Sequence, residues 1–290
     1  MSYLTITHLL NGILCIVFGA CLGIYLTRRF KLGWRLWWIG SITFVLSQVG
    51  HIPFNILVLN PLLTKTSIGL PEAWQLPLVA LVLGLSAGVF EEFTRYAVYR
   101  WWIKGARTWS QGLLFGAGHG GLEAILVGAL SLYTYAQLMA IKDIDLSAIV
   151  PANYLSLAQE QVKWYWSMPW YDSLLGGFER LLTLPLHLTA ALLVMQAFTR
   201  RQFRWVWLAV GLHTLVNTLA VYLYQTVSVY AAELSVGILA ILEIGLILHL
   251  RKSTPITPPE PNIPTPAPWS PTPIAEVPET TETLEETRYQ

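Results

Sequence analysis

Charge is the scarcest feature of this chain. Only 12% of its 290 residues are Asp, Glu, Lys or Arg, about half the share of an ordinary globular protein, while 54% are hydrophobic and mean hydropathy is +0.51. So little charge excludes an ordinary water-soluble domain. Cysteine is almost absent too. Cys15 and Cys21 lie six apart in one apolar stretch, so no disulfide is expected and no redox compartment follows. No basic segment precedes the first apolar run, which is long enough to span a bilayer, so a membrane helix is expected there rather than a cleavable signal peptide. The HExxH spacing of zincin metalloproteases is also missing. The net charge of +1 identifies no partner, and no nucleic acid is expected.

Long apolar runs take the place of charge. Runs of about 20 residues mark membrane spans, and seven are read here, near 4–27, 36–59, 74–101, 109–140, 174–198, 205–226 and 229–250. The fourth is long for one crossing and is expected to end before residue 140. The fold expected is an all-α, polytopic helical bundle over residues 1–252. Thirteen tryptophans suit interfacial belts.

The flanking charges orient the bundle. Arg28, Arg29, Lys31 and Arg35 follow the first span, and Arg100, Lys104 and Arg107 the third. Arg200, Arg201 and Arg204 follow the fifth, and Arg251 and Lys252 the seventh. The other side has only Lys65, Lys142 and Lys163, in longer connections. The positive-inside rule then puts the N-terminus outside and the C-terminus in the cytoplasm. The longest connection, 141–173, contains WYWSMPWY, read as a segment resting on lipid headgroups or as a plain connector. Residues 253–290 hold ten of the seventeen prolines and six acids against Arg288, a composition expected to form a disordered cytoplasmic tail.

Ionisable groups inside spans are costly and mark function. The third span carries Glu91 and Glu92, with Arg95 i+4 from one and i+3 from the other, within reach of either. In the fourth span His119 and Glu123 share a face among Gly116, Gly118, Gly120 and Gly121, which allow close backbone approach. The fifth carries Glu179, Arg180 and His187, with Pro185 expected to disturb the helix; Glu179 and Arg180 read equally as a structural ion pair. The sixth carries His213 and Asn217 at i, i+4. His51, beside Pro53 and Asn55, reads as structural in a locally broken helix. Glu233 and Glu243 have no evident partner, so a core hydrogen bond is the default; His8 and His249 are bland.

Carboxylates, imidazoles and an amide together suit hydrolysis. A glutamate can take a proton from water, and a histidine can orient that water or protonate the leaving amine. A His/Asn pair can stabilise an oxyanion. The same groups could ligate zinc, through His119, His213 and Glu91. A proton-coupled transporter or channel, or a non-catalytic scaffold or immunity protein, would use such a cluster differently.

The ordered motifs Glu91-Glu92-x-x-Arg95, Phe115-x-x-x-His119 and His213-x-x-x-Asn217 resemble those of the CAAX-processing and bacteriocin-processing (CPBP/Abi) intramembrane proteases. The strings EEFTRY, GAGHGGLEA and FER-x6-H look most like the YhfC-type branch, related to the PrsW and APH-1-like proteins. The resemblance covers roughly residues 40–250. It implies hydrolysis of peptide bonds in membrane-associated substrates, with Glu91 or Glu92 activating water, His119 positioning it, and His213 with Asn217 forming an oxyanion site. Arg95, Glu123, His187, Glu179 and Arg180 are supporting residues. No cofactor is expected, zinc being the alternative.

A rise of about 1.5 Å per residue places Glu91, His119, His187 and His213 all roughly 12–16 Å from the basic end of their spans. They are therefore expected to converge on one cavity, with Glu92, Arg95, Glu123 and Asn217 around it. Glu179, Arg180 and His51 should sit nearer the outer side. The cavity is expected to open toward the cytoplasm.

Overall fold

The computed structural model describes residues 3–67 and 69–253. The proline-rich tail lies outside the described residues. The described chain is helical, without strands, and seven helical stretches are long and apolar enough to cross a membrane. Helix α1 spans Tyr3–Phe30 and α2 Arg35–Phe54, continuing through a π-turn, Asn55–Leu59, into α3, Asn60–Ser67. Then come α4, Glu72–Trp101, and α5, Trp109–Ala140. Helix α6, Ala152–Ser167, lies in the long connection. Helices α7, Leu175–Thr199, α8, Arg204–Thr226, and α9, Val229–Ser253, complete the bundle.

Two details depart from expectation. The fourth span does not end before residue 140, and its helix is about 48 Å long at the usual rise. It begins on a capping box, in which the Thr108 side chain accepts from Gln111 N and Gln111 Oε1 accepts from Thr108 N. The chain near Pro53 is not broken. Proline removes a backbone donor and crowds the carbonyl four residues back, yet α2 runs through Pro53 and a π-turn follows at Asn55–Leu59. Helix α7 likewise runs unbroken through Pro185.

Helices α5 and α7 form the centre, with 61% and 67% of their apolar windows buried, against 17–33% for the other five spans. Helix α5 packs on α1, α2 and α7, and α4 packs on α8. Glycine makes the α2–α5 contact close enough for backbones to touch. A Cβ on Gly118 would stand 1.9 Å from the Trp37 carbonyl oxygen. Ser41 Oγ bridges the same contact, donating to Gly118 O at 3.0 Å. On the other side of α5, a Cβ on Gly120 would meet the His187 ring at 2.6 Å. Gly118→Ala is therefore expected to force α2 away from α5, at a cost of at least about 1–3 kcal/mol. A lower unfolding temperature in detergent and poor membrane yield would show it; wild-type stability would refute this packing account.

Candidate active site

Four helices deliver their polar groups to one place. Glu91, Glu92 and Arg95 come from one turn of α4, His119 from α5, His187 from α7 and His213 from α8, and all six are buried. Glu91 Oε2 is the common point. It accepts from His119 Nε2 at 3.0 Å, and it lies 3.5 Å from Arg95 Nη2, 3.9 Å from His213 Nε2 and 4.0 Å from His187 Nδ1.

The partners fix two histidine tautomers. A guanidinium only donates, so Arg95 Nη2 donates to His187 Nδ1 at 2.9 Å, which leaves Nε2 as the protonated nitrogen. That nitrogen lies 2.8 Å from Glu123 Oε2. A carboxylate only accepts, so His213 Nδ1 donates to Glu92 Oε1 at 2.8 Å, and in the neutral ring the lone pair lies on Nε2, 3.9 Å from Glu91 Oε2. Arg95 also pairs with Glu92 Oε1. It therefore holds both glutamates rather than one of the two. Glu92 is tied by Arg95 and His213, whereas Glu91 turns toward the shared space.

Two polar chains leave this centre. Along α2, Gln48 Nε2 donates to Glu91 Oε1 at 3.3 Å, and His51 Nδ1 donates to Gln48 Oε1 at 3.3 Å. Asn55 Nδ2 donates to His51 Nε2 at 2.9 Å and Ser86 Oγ to Asn55 Oδ1 at 2.8 Å, so the π-turn seats an amide between two helices. The second chain leads from Glu123 to Arg180, at 2.6 Å, and on to Glu179. Arg180 and Glu179 thus form an ion pair joined to the site, two turns from His187 along α7.

Sequence reasoning missed Gln48, Ser86 and the role of Asn55. The available signal was the spacing Gln48, His51, Asn55, which puts three polar groups on one face of an apolar helix. It also missed His8, which is buried and stacked on Tyr165 with ring centroids 4.1 Å apart. That stack fastens α6 to α1. Glu233 Oε2 and Glu243 Oε1 find no hydrogen bond among the described residues, so the default of a core hydrogen bond is not met.

A cavity of about 80 Å³ reaches the centre, lined by Glu91, His187, His213 and Asn217 and then by Arg180, Thr183 and Ala220. Asn217 makes no hydrogen bond to the cluster among the described residues. The cavity runs toward the α6 end of the bundle, not toward the basic end as the sequence suggested. The reason is packing: Tyr99, Phe115, Leu192, Met195 and Val206, all without exposed surface, fill the bundle on the basic side of the cluster.

The donor set fits a divalent metal ion. Ligand atoms of Glu91, His119 and His187 lie within 4.8 Å of one another, and so do those of Glu91, Glu92 and His213. Carboxylates stand behind two of the imidazoles, Glu92 at His213 and Glu123 at His187, as they do behind metal-bound histidines generally. The zinc set suggested by sequence, His119 with His213 and Glu91, is not one of these groups; His187 takes the place of His213. The close approach of α7 to α5 at Gly116 and Gly120 brings His187 there, a contact between helices that is invisible in the sequence.

Fold and site together define a polytopic membrane protein with a buried glutamate–histidine–arginine centre. The chain belongs to the YhfC intramembrane metalloprotease family, whose pattern it matches over residues 13–239. It is 32% identical over 261 residues to the "Uncharacterized membrane protein YhfC" of Bacillus subtilis (strain 168), covering 84% of this chain and 95% of that protein. No solved structure matches it.

Proposed function

We propose that this protein hydrolyses peptide bonds of membrane-associated substrates, with Glu91 as the general base. The observation that carries the proposal is the convergence of three imidazoles and a guanidinium on one oxygen of Glu91, at the inner end of a cavity. Water entering that cavity meets Glu91 Oε2 and the His213 Nε2 lone pair. Glu91 accepts its proton as the oxygen attacks the carbonyl carbon. His119 and Arg95 hold the carboxylate in place, and His187 is held in turn by Arg95 and Glu123. The proton passes to His213 Nε2 and then to the leaving amine, while Glu92 behind Nδ1 stabilises the imidazolium on the way. The Asn217 amide, one turn from His213, is placed to donate to the oxyanion. Glu92 is the orienting carboxylate, because both its charge partners are already engaged at Oε1.

A second reading is favoured by the metal-ligand groups and by the family's description as metalloproteases. Glu91, His119 and His187 would hold the ion. A bound zinc would polarise the scissile carbonyl and lower the pKa of its water. Against it stands Arg95, whose positive charge lies 2.9 Å from His187 Nδ1 and must yield some of those contacts. Elemental analysis of protein purified without chelators separates the readings. The glutamate mechanism predicts no stoichiometric metal and activity that survives exhaustive chelation. One zinc per chain, with activity lost on chelation and restored by zinc, would overturn it.

A transporter needs polar groups across the whole membrane, and the apolar plug on the basic side argues against that. In this reading the N-terminus and α6 lie outside, and substrates approach from that face.

A further inference from the structure

The small cavity at Glu91 continues into a much larger one. Glu179, Ala220 and Val236 line both. The larger space, about 940 Å³, lies under α6, between α1, α5, α7, α8 and α9. Its walls are mostly apolar and aromatic, with Leu130, Trp164, Tyr165 and Tyr224 among them. Its acidic residues are Asp172, Glu179 and Glu233, beside His8, and no Lys or Arg is among the residues lining it. A cavity in an apolar bundle that holds three carboxylates and no cation is built for a positive guest.

Glu233 makes the case specific. It is 9% exposed, and its Oε2 has no hydrogen-bond partner among the described residues. Glu179 is paired with Arg180, and Arg180 is engaged again by Glu123 at 2.6 Å. Asp172 Oδ1 accepts from Tyr230 at 2.5 Å. Arg180 is thus already committed to two other carboxylates. A buried, unpaired carboxylate is costly, and a cationic ligand group would supply the missing partner.

We infer that the large cavity is a substrate vestibule, and that Glu233 binds a positively charged group, an ammonium or guanidinium, on an otherwise apolar peptide. Glu233 lies one helical turn from Val236, which lines the inner cavity, so a peptide anchored there extends toward Glu91. The inference rests on the proposed peptidase reading for the meaning of the anchored chain, but its test needs no turnover.

The test uses full-length Glu91→Gln protein in phosphatidylcholine nanodiscs, with a fluorescent apolar decapeptide containing one lysine. Matched peptides carry acetyl-lysine at that position, an acetylated N-terminus, or both. The lysine peptide with a free N-terminus is expected to bind at least tenfold more tightly than the doubly acetylated one. The singly acetylated peptides show which ammonium is recognised. Adding Glu233→Gln should reduce the preference to within twofold, and Glu233→Asp should retain most of it. No preference in the Glu91→Gln protein overturns the inference outright, even if the Glu233→Gln protein fails to fold. A preference unchanged by Glu233→Gln overturns it as well. Loss of the preference in phosphatidylethanolamine nanodiscs alone would assign the cavity to a lipid headgroup instead of a peptide. Absence of proteolysis in the wild type, with the binding preference intact, would defeat the peptidase reading and leave the cation site standing.

Discussion

Glu91→Gln is expected to lower proteolysis by about 10²–10⁴-fold, the usual contribution of a positioned general base, while the protein stays folded in the membrane. Glutamine keeps the side chain's length, and its amide oxygen can still accept from His119 and face Arg95, so the contacts at Oε2 survive and only the long bond from Gln48 to Oε1 loses its acceptor. What disappears is the ability to take a proton. Comparison of membrane proteomes from cells with wild-type protein and with Glu91→Gln should reveal accumulated substrates, whose cleavage is then measured with purified protein. Glu92→Gln is expected to reduce activity and stability together, because Glu92 orients His213 and pairs with Arg95. Full activity in both glutamine variants would remove the enzyme reading.

Arg95→Ala should be the most damaging substitution for the fold. Arg95 has no exposed surface and is the positive partner of both Glu91 and Glu92, and it also donates to His187. Removing one partner of a buried pair strands the other charge, at a cost of about 3–5 kcal/mol. The expected result is a large fall in unfolding temperature in detergent and little protein in the membrane. Combining Arg95→Ala with Glu92→Gln should recover part of the loss, since one of the two stranded charges is then gone. If the double variant is no more stable than the single one, the damage comes from lost packing and the electrostatic account fails.

These expectations rest on residues that the sequence made conspicuous. A glutamate pair followed by arginine inside an apolar span is expensive wherever the chain folds, so Glu91, Glu92 and Arg95 could be singled out without coordinates. His119 and His213 stood out for the same reason, each at i, i+4 from another polar residue. Gln48 did not, because a single amide in a span costs far less than a charge and carries no distinctive spacing until His51 and Asn55 are set beside it. His187 was expected from sequence to converge with Glu91 but was not counted in the candidate zinc set. Its place against Glu91 depends on how deeply α7 presses into α5, which is decided by two missing Cβ atoms, on Gly116 and Gly120.

Hydrophobic length and the cost of burying charge thus determined from sequence alone that the chain is a seven-span bundle and that Glu91, His119, His187 and His213 stand at similar distances from the basic ends of their helices. Both are properties of single helices, read along one axis. The direction from which the site is reached belongs to the space between helices. Equal depth says nothing about whether the bundle is filled above or below that level. Only the packed structure, with Tyr99, Phe115, Leu192 and Met195 closing the basic side, opened the site toward α6. The different surroundings of Glu91 and Glu92 were decided in the same way. One residue apart in sequence and equal in chemistry, they differ in what α8 and α7 bring against them.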